Sequence, residues 1–403
     1  MMFLKKISAT RARACVRSSI IPLGSERISF HEGCGRILAE DVQALCDHPP
    51  FDRSAMDGYA VLAGSTFYAT PENPVRLRKG EEARRIMTGE PIPSGFDAVV
   101  MIEYVEDLGD EIRVSRSVVP GENVALRGED FRQGEIILRK GRVLLPHDIG
   151  TLVAAGITKI KVRRSPRVGI ISTGDEIVDP ARIKRWNGAE EGKIPDINSY
   201  TLSSLVGGAG GIPVRCGVLK DDPDVLKSTI KSYTGFDLLL ITGGSSVGDR
   251  DFLGKVIDEL GKLLFHGVAI KPGGPLGFGF INNTPVFILP GYPLAAIVSF
   301  ELFVRDALSI MQGLPPKIPY ESLTAKLLRK IPSQVGRLDF VRVKLINEGG
   351  DLYAEPLGSG GSGSIGRLSK ADGFLLVDEP LEGIDEGETV TIYRYPGSQE
   401  VRA

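Results

Sequence analysis

The segment 237–252 (DLLLITGGSSVGDRDF) constrains the fold more than any other part of this 403-residue sequence. The apolar residues from Leu238 to Ile241 do not alternate with polar ones, which is typical of a strand buried on both faces. Two glycines and two serines follow, so backbone N–H groups and hydroxyls can line one concavity. An amphipathic helix then begins near Asp251. This order suits a phosphate group, although a capped tight turn has the same pattern.

Length and composition exclude several classes of protein. The chain exceeds one ordinary core, so we expect about two to four domains. It is 42% hydrophobic and 25% charged with a net charge of −2, which gives no basic footprint for nucleic acid. No apolar run reaches the length of a membrane span. The four cysteines lack the spacing of a zinc site or a disulfide framework, so we expect a cytoplasmic protein with reduced thiols.

The strand and helix patterns divide the chain into four parts. Residues 166–313 alternate strands with helices, including helices over 198–206 and 222–233, and predict an α/β domain with a parallel sheet. Residues 46–140 contain short alternating runs broken by Gly and Pro, which predict an inserted, mostly β domain. The flanking segments 1–45 and 141–165 would pair into one small N-terminal unit. Residues 318–403 predict a small C-terminal β-barrel.

Polar, glycine-bearing loops follow four predicted strands of the α/β domain. They begin at Thr173, at Gly243, at Lys271 after the predicted strand LLFHGVAI, and at Pro290. Ligands of open parallel sheets bind outside the carboxyl ends of the strands. Any one loop could be structural, but four at one edge predict a site for an anionic, phosphate-bearing ligand. Carboxylates such as those of Glu176 and Asp251 would hold a divalent cation there.

Neither of two common nucleotide-binding motifs stands where it would form a site. No GxxxxGK[ST] precedes a helix, and no GxGxxG follows the first strand, so neither a P-loop nor a dinucleotide site is expected.

Three loops of the inserted domain also concentrate polar residues. They are FDRSAMDGYA (51–60), RRIMTGEPIPSGFDAVV (84–100) and VPGENVALRGEDF (119–131). Asp, Gly and Pro are the usual residues of β-turns, so each loop could be a turn. This alternative is weakest for the first loop, where polar groups crowd a segment without a turn signature.

Five motifs, in this order, resemble those of the molybdopterin molybdenumtransferases, the MoeA family, and span nearly the whole chain. They are FDRSAMDGYA, IMTGEPIPSGFDAVV, ISTGDEIV, GGSSVGDRDF and LPGYP. The resemblance implies an elongated homodimer with an α/β molybdopterin-binding domain and a dimerising N-terminal segment. It implies an enzyme of molybdenum cofactor biosynthesis that hydrolyses adenylylated molybdopterin with a divalent cation such as Mg²⁺. The enzyme would insert molybdate or tungstate and release AMP, and a molybdopterin adenylyltransferase and molybdoenzyme acceptors would be candidate partners.

The same resemblance implies a site shared between the α/β domain of one subunit and the inserted domain of the other. The implied catalytic residues are Asp57, Thr88, Asp130, Glu176, Asp222 and Asp251, with Glu176 and Asp251 as the metal ligands. The implied pterin- and phosphate-binding residues are Thr173, Gly174, Asp175, Asn198, Gly243, Gly244, Ser245, Ser246, Gly248, Lys271, Pro290, Gly291, Tyr292 and Pro293. The implied oxyanion-binding residues are Lys271, Arg337, Arg342, Ser362 and Ser364.

Two departures from the family pattern concern the oxyanion and pterin sites. The sequence has KPGGP where the family usually has KPGKP, so Gly274 replaces a second lysine. One cation fewer should weaken a divalent oxyanion site unless an arginine substitutes. The sequence also has LPGYP in place of LPGNP, and Tyr292 exchanges an amide for a ring that could stack on a pterin.

Two other functions stay open from the sequence. A non-catalytic molybdopterin-binding carrier or scaffold would fit a site altered at Gly274. A molybdopterin adenylyltransferase shares the α/β domain, but that family does not need the flanking β domains found here.

Overall fold

The computed structural model describes residues 6–182, 192–233, 235–243, 252–358 and 365–398. The chain forms two compact units. One consists of Ser25–Arg163 and the other of Met1–Gly24 together with Arg164–Ala403. No helix among the described residues is long and apolar enough to cross a membrane.

Two three-stranded antiparallel sheets form the main core of the Ser25–Arg163 unit. Alternate side chains of these strands are buried together, among them Tyr59, Val61, Leu77 and Ile112, as expected of short strands with period-2 patterning. The strand orders are Ala83–Ile86, Gly58–Val61, Ala98–Met101 and Val75–Arg78, Glu111–Val114, Val105–Asp107.

A second core of the same unit joins the segments that flank the β insert. Strand Ser25–Ser29 pairs antiparallel with Lys159–Arg163, and helix Pro146–Ala154 packs Leu152 against their buried side. The other strands of the unit are Val42–Gln43, Arg53–Ser54, Val124–Ala125 and Ile136–Leu138, and its 3₁₀ turns are Phe30–Glu32, Ala63–Thr66 and Ile102–Tyr104.

The second unit is built on a six-stranded sheet, and the predicted α/β fold is confirmed. Four strands run parallel because each is connected by a crossover. In spatial order the strands are Ile212–Leu219, Arg167–Thr173, Leu238–Thr242, Thr284–Leu289, Gly277–Ile281 and Lys262–His266. The helices are Ile197–Gly208, Pro223–Ser232, Phe252–Leu260, Pro293–Ser299 and Arg305–Met311, with a π-helical segment at Phe300–Val304 between the last two.

The prediction that LLFHGVAI forms one strand of the parallel sheet is wrong. Lys262–His266 is an edge strand antiparallel to Gly277–Ile281, and Gly267, with φ +104°, ends it. The following Ile270–Lys271 pairs instead with Leu338 and Asp339 of the C-terminal domain. A glycine in a left-handed conformation redirects the chain, so the apolar run is divided between two sheets.

The N-terminal helix Ala9–Ser19 corrects the expectation that residues 1–45 form one segment with 141–165. Ala9, Ala12 and Val16 are buried in the core of the α/β unit. The helix is followed by a hydrogen bond from Leu23 N to Met311 O. Since its apolar face is buried there, the predicted segment is divided at Gly24.

The C-terminal part of the chain is a closed barrel, as predicted. Leu338–Glu348 pairs with the strands on both of its sides, which closes the ring. Its interior is apolar and includes Leu327, Val343, Leu375 and Ile392. The other barrel strands are Glu321–Leu327, Asp351–Pro356, Gly373–Val377 and Thr389–Arg394, and a short pair forms between Ile331–Pro332 and Gly383–Ile384. A short helix is Ile365–Leu368.

The α/β part has one more short strand pair, Ile177–Val178 with Ile194–Pro195, and a single helical turn at Pro180–Arg182.

Candidate active site

Three predicted site loops leave the same edge of the α/β sheet. They follow the parallel strands Arg167–Thr173, Leu238–Thr242 and Thr284–Leu289, whose carboxyl ends are neighbours. A Cβ added at Gly291 would lie only 3.6 Å from the Cα of Gly243. The edge therefore brings together the first, second and fourth of the loops identified from the sequence.

Gly243 is required by its surroundings. Its φ is +114°, and a β-carbon there would lie 2.4 Å from both the carbonyl oxygen and Oγ1 of Thr173. Only glycine tolerates this conformation and this close approach. The Thr173 side chain is buried, and its Oγ1 has no hydrogen-bond partner among the described residues, so it is a free donor or acceptor at the edge.

Asn198 holds the fourth loop from the neighbouring helix. Its Nδ2 donates a 2.8 Å hydrogen bond to the carbonyl oxygen of Gly291. Its Oδ1 is buried without a partner among the described residues. Asn198 therefore positions the Gly291 loop and keeps one acceptor for a ligand.

Beneath the edge lies a buried polar network that sequence reasoning missed. Asp196 accepts hydrogen bonds from Ser172 Oγ at 2.8 Å and from Ser199 N at 3.0 Å, and thereby caps the helix Ile197–Gly208. Thr242 Oγ1 approaches Ser172 Oγ at 3.4 Å. An Asp three residues before Ser199 is a recognisable N-cap signal, and it fixes two strand ends against one helix start.

Glu176 lies over the turn that follows Thr173. A β-carbon at Gly174 would lie 2.9 and 3.0 Å from the two carboxylate oxygens of Glu176, so the absence of a side chain makes room for the carboxylate. Glu176 and Asp175 are both exposed. The carbonyl of Asp175 accepts a hydrogen bond from Lys193 Nζ at 2.7 Å. The Glu176 carboxylate thus lies against the turn at Gly174.

Asp222 is a helix cap in this structure. Its Oδ1 accepts hydrogen bonds from Asp224 N at 2.9 Å and Val225 N at 3.2 Å. This arrangement satisfies two backbone donors at the start of Pro223–Ser232. A structural role thus accounts for Asp222, and its predicted catalytic role stays a prediction.

Lys271 and Arg337 are both associated with Asp339 of the barrel. Lys271 lies opposite Asp339 in the strand register, and Arg337 forms a bidentate ion pair with Asp339 at 2.6 and 2.9 Å. The structure therefore associates Lys271 with the C-terminal domain and not with a strand end of the α/β sheet. Both residues can still reach solvent, which suits an oxyanion.

Two other predicted residues occupy contrasting surroundings. Arg342 is only 5% exposed, so its side chain is not at an open surface of this unit. Tyr292 is 63% exposed and immediately precedes helix Pro293–Ser299, next to buried Pro290. Its ring is available for stacking.

Several predicted residues lie outside the described part of the chain. They are Gly244, Ser245, Ser246, Gly248, Asp251, Ser362 and Ser364. Of the predicted cation ligands, Glu176 alone can be placed. Among the described residues no group of three or more His, Cys, Asp or Glu side chains could hold a metal ion. The hard carboxylate oxygens of Glu176 are nevertheless the donor type that Mg²⁺ prefers.

In the Ser25–Arg163 unit, the backbone joins all three polar loops of the insert. Ser54 N donates to Glu90 O, Gly89 N donates to Ser54 O, and Ala55 N donates to Asn123 O, each at 2.8–2.9 Å. Loops distant in sequence thus form one surface.

Asp57 and Thr88 form the most defined polar pair of that surface. Asp57 Oδ1 accepts hydrogen bonds from the backbone N and the Oγ1 of Thr88, both at 2.7 Å. The Thr88 N–H, followed by its hydroxyl, lowers the pKa of Asp57, so this exposed carboxylate is held ionised. Asp130 is exposed in the third loop, and its N donates to His48 O at 3.1 Å.

The α/β edge offers chemistry suited to a polar, anionic ligand. Close-packed glycine backbone, two buried oxygen atoms without partners and one exposed carboxylate converge there. Backbone N–H groups bind phosphate, and a carboxylate can hold a cation or orient a water molecule.

Comparison with known proteins identifies relatives along almost the entire chain. Three family models match in succession: "MoeA N-terminal region (domain I and II)" over residues 7–156, "Probable molybdopterin binding domain" over 169–309, and "MoeA C-terminal region (domain IV)" over 324–395.

Individual relatives agree with these models. A Methanocaldococcus jannaschii protein whose name refers to molybdopterin biosynthesis is 41% identical, covering 91% of this chain and 92% of its own. A molybdopterin molybdenumtransferase of Haemophilus influenzae is 34% identical, covering 92% of this chain and 94% of its own. The crystal structure of the molybdopterin biosynthesis MoeA protein from Pyrococcus horikoshii OT3 is 37% identical with a TM-score of 0.77, covering 97% of this chain and 100% of that one.

Proposed function

Because the chain belongs to the MoeA family of molybdopterin biosynthesis proteins, we propose that it is a molybdopterin molybdenumtransferase acting on adenylylated molybdopterin. It hydrolyses the adenylylated pterin, inserts molybdate or tungstate into the dithiolene and releases AMP. The observation that carries this proposal is the convergence of Thr173, Gly243 and Gly291 at one sheet edge, with Asn198 beside them. That edge has the backbone and oxygen donors that a phosphate-bearing pterin requires.

In this proposal the glycine-lined edge binds and orients the substrate. The backbone N–H of Gly291 approaches the phosphates without a side chain in the way, while the Gly243 N–H is bonded to Leu289 O and holds the neighbouring strand end. Thr173 Oγ1 and Asn198 Oδ1 hydrogen-bond to polar groups of the ligand. The exposed ring of Tyr292 stacks on the pterin. Fixing the phosphates against one strand end presents the bond to be cleaved to Glu176.

Glu176 serves the hydrolytic step. Its carboxylate orients a water molecule and accepts one of its protons. The water oxygen forms a bond to one phosphorus of the phosphoanhydride, the bond from that phosphorus to the bridging oxygen breaks, and AMP separates from molybdopterin. Glu176 and Asp251 would hold Mg²⁺, which when bound supplies positive charge to neutralise the phosphate oxygens. Lys271 contributes positive charge where the oxyanion is held, and Arg337 pairs with Asp339 so that this acid does not neutralise Lys271.

We also propose that the active enzyme is a homodimer in which Asp57 and Thr88 of one subunit complete the site of the other. The observation in support is that Thr88 hydrogen-bonds to the Asp57 carboxylate at an exposed surface where the three insert loops meet. An exposed carboxylate fixed by two hydrogen bonds is suited to a ligand or a second subunit.

The test is AMP release from adenylylated molybdopterin with magnesium, measured with and without molybdate or tungstate. We expect oxyanion-dependent AMP release and a metallated pterin product. Tight pterin binding with no AMP under either oxyanion would favour the carrier function, which Gly274 and Tyr292 leave open. Consumption of ATP with unadenylylated molybdopterin would instead favour adenylyl transfer.

A further inference from the structure

The loop after Lys271 provides space for an anion but only one cation of its own. Gly273 and Gly274 follow Lys271 and Pro272, so no second charged side chain arises from the loop. A β-carbon placed on Gly274 would lie 3.6 Å from Nζ of Lys6. The ammonium group of the N-terminal segment therefore lies directly beside the loop.

Hydrogen bonds on both sides of the chain fix this segment in place. Ile7 N donates to Gly267 O at 3.1 Å, and Ala269 N donates to Ile7 O at 2.8 Å, so residue 7 pairs like a strand with the chain that leads to Lys271. Glu379 of the barrel then accepts from Ala9 N at 2.6 Å and Thr10 Oγ1 at 2.8 Å. Lys6 thus extends from an anchored backbone.

The charges around the loop are unbalanced. Both carboxylate oxygens of Asp339 are occupied by Arg337. Neither Lys6 nor Lys271 has an acidic partner among the described residues, and both are exposed. Two uncompensated ammonium groups therefore flank a glycine loop, which is an arrangement that attracts a small divalent anion.

The inner side of the loop supplies a further polar group. Ser299 is fully buried, and its Oγ has no hydrogen-bond partner among the described residues. A β-carbon at Gly273 would lie 3.0 Å from this oxygen. The loop therefore has a hydroxyl beneath Gly273 and an ammonium beside Gly274.

We propose that Lys6 is an oxyanion-binding residue, which supplies from the N-terminal segment the second cation of the Lys271 loop. This inference rests on the proposed function, since it assigns molybdate or tungstate to the loop. Lysine suits the role as a flexible point charge that needs no fixed fork geometry.

The experiment is equilibrium dialysis of the full-length protein against sodium molybdate or sodium tungstate. We expect Lys6→Met to raise the dissociation constant about fivefold or more, since one of two neighbouring cations is lost. Lys6→Arg keeps the charge and should stay within about twofold of the wild type. Lys344→Met removes another exposed lysine, in the barrel, and should change nothing.

A restoring substitution makes the test specific. Gly274 has no positive φ, and its added β-carbon meets only ordinary contacts of 3.6–3.7 Å, so Gly274→Lys can be accommodated. In the Lys6→Met background it should restore oxyanion binding. Wild-type-like binding by Lys6→Met overturns the role of Lys6 and leaves the proposed function standing. If the wild type binds neither oxyanion, the oxyanion step of the proposed function fails as well.

Discussion

At the scale of single residues, the decisive property of this protein is which polar atoms already have partners. Asp222 and Asp196 are acids near the same sheet edge, yet both carboxylates cap helices. Thr173 and Asn198, two of the implied binding residues, each keep a buried oxygen without a partner among the described residues. Residue type alone is therefore a poor guide to which residues bind the ligand. Whether a polar atom already has a hydrogen-bond partner is a better guide.

The Asp57–Thr88 pair gives a prediction about pH. A depressed pKa means that the pairing stabilises the protein above the ordinary aspartate pKa and is lost as pH falls through the lowered value. Thr88→Val removes the hydroxyl donor and keeps the backbone N–H, so the pKa of Asp57 should rise partway toward its usual range. Carbon-detected NMR titration of the Asp57 carboxyl measures this. Thr88→Ser is the matched control, and equal pKa values in both variants would show that the hydroxyl contributes nothing.

At the scale of elements, two facing glycines of the site differ sharply in what they tolerate. Gly243 has φ +114° and a 2.4 Å approach to Thr173, whereas Gly291 has no positive φ and 3.6 Å of space. We expect Gly243→Ala to destabilise the protein by at least about 2 kcal/mol, from backbone strain and steric overlap. Gly291→Ala should stay within about 0.5 kcal/mol. Urea unfolding followed by far-ultraviolet circular dichroism tests this pair. Equal unfolding midpoints for the two variants would refute the strain assigned to Gly243.

The π-helical segment Phe300–Val304 contains one partner of a buried ion pair. Glu301 and Arg305 are 6% and 8% exposed and form a bidentate pair at 2.6 and 2.8 Å. Tyr320 donates to Glu301 at 2.8 Å, and burial, followed by the charge of Glu301, raises the pKa of Tyr320, so this donor stays protonated. The cluster connects the helix to the start of the barrel.

Removing one partner of that pair should be costly. Arg305→Met leaves the Glu301 carboxylate buried without its cation, and we expect a loss of about 3–5 kcal/mol. The double variant with Glu301→Leu should recover most of it, because the pair itself is worth little against apolar packing. Arg329→Met breaks the exposed pair with Glu355 and should cost less than about 1 kcal/mol. A double variant as unstable as Arg305→Met would contradict this account.

Local patterns predicted most elements of the α/β unit well. The helices expected over 198–206 and 222–233 are Ile197–Gly208 and Pro223–Ser232, since capping residues and periodicity are local signals. The failure at LLFHGVAI has a non-local cause, because Ile270–Lys271 pairs with a strand nearly 70 residues later. The network of Ser172, Asp196 and Thr242 was likewise unpredictable, since it depends on which strand ends become neighbours.

At the scale of the whole molecule, the proposed shared site predicts complementation between inactive subunits. Asp57→Asn and Glu176→Gln should each abolish AMP release while leaving the fold intact, because both carboxylates are exposed. In a mixed dimer one interface carries both substitutions and the other carries neither. After random mixing of equal amounts, about a quarter of all sites should be intact. AMP release from unfolded and refolded mixtures measures this, and activity that stays at the level of the single variants would count against a site built by two subunits.

The crossing points of the chain between its two units have a consequence for its history. Gly24 ends the first passage through the α/β unit and Arg164 begins the second, and Arg164 N donates to Gly24 O at 3.0 Å. The segment 25–163 thus begins and ends at neighbouring residues of the other unit. Its removal would leave two ends that are already neighbours, which is the topology of a module spliced into a pre-existing gene. An ancestor with only the remaining unit would have needed no rerouting of the chain to acquire the rest.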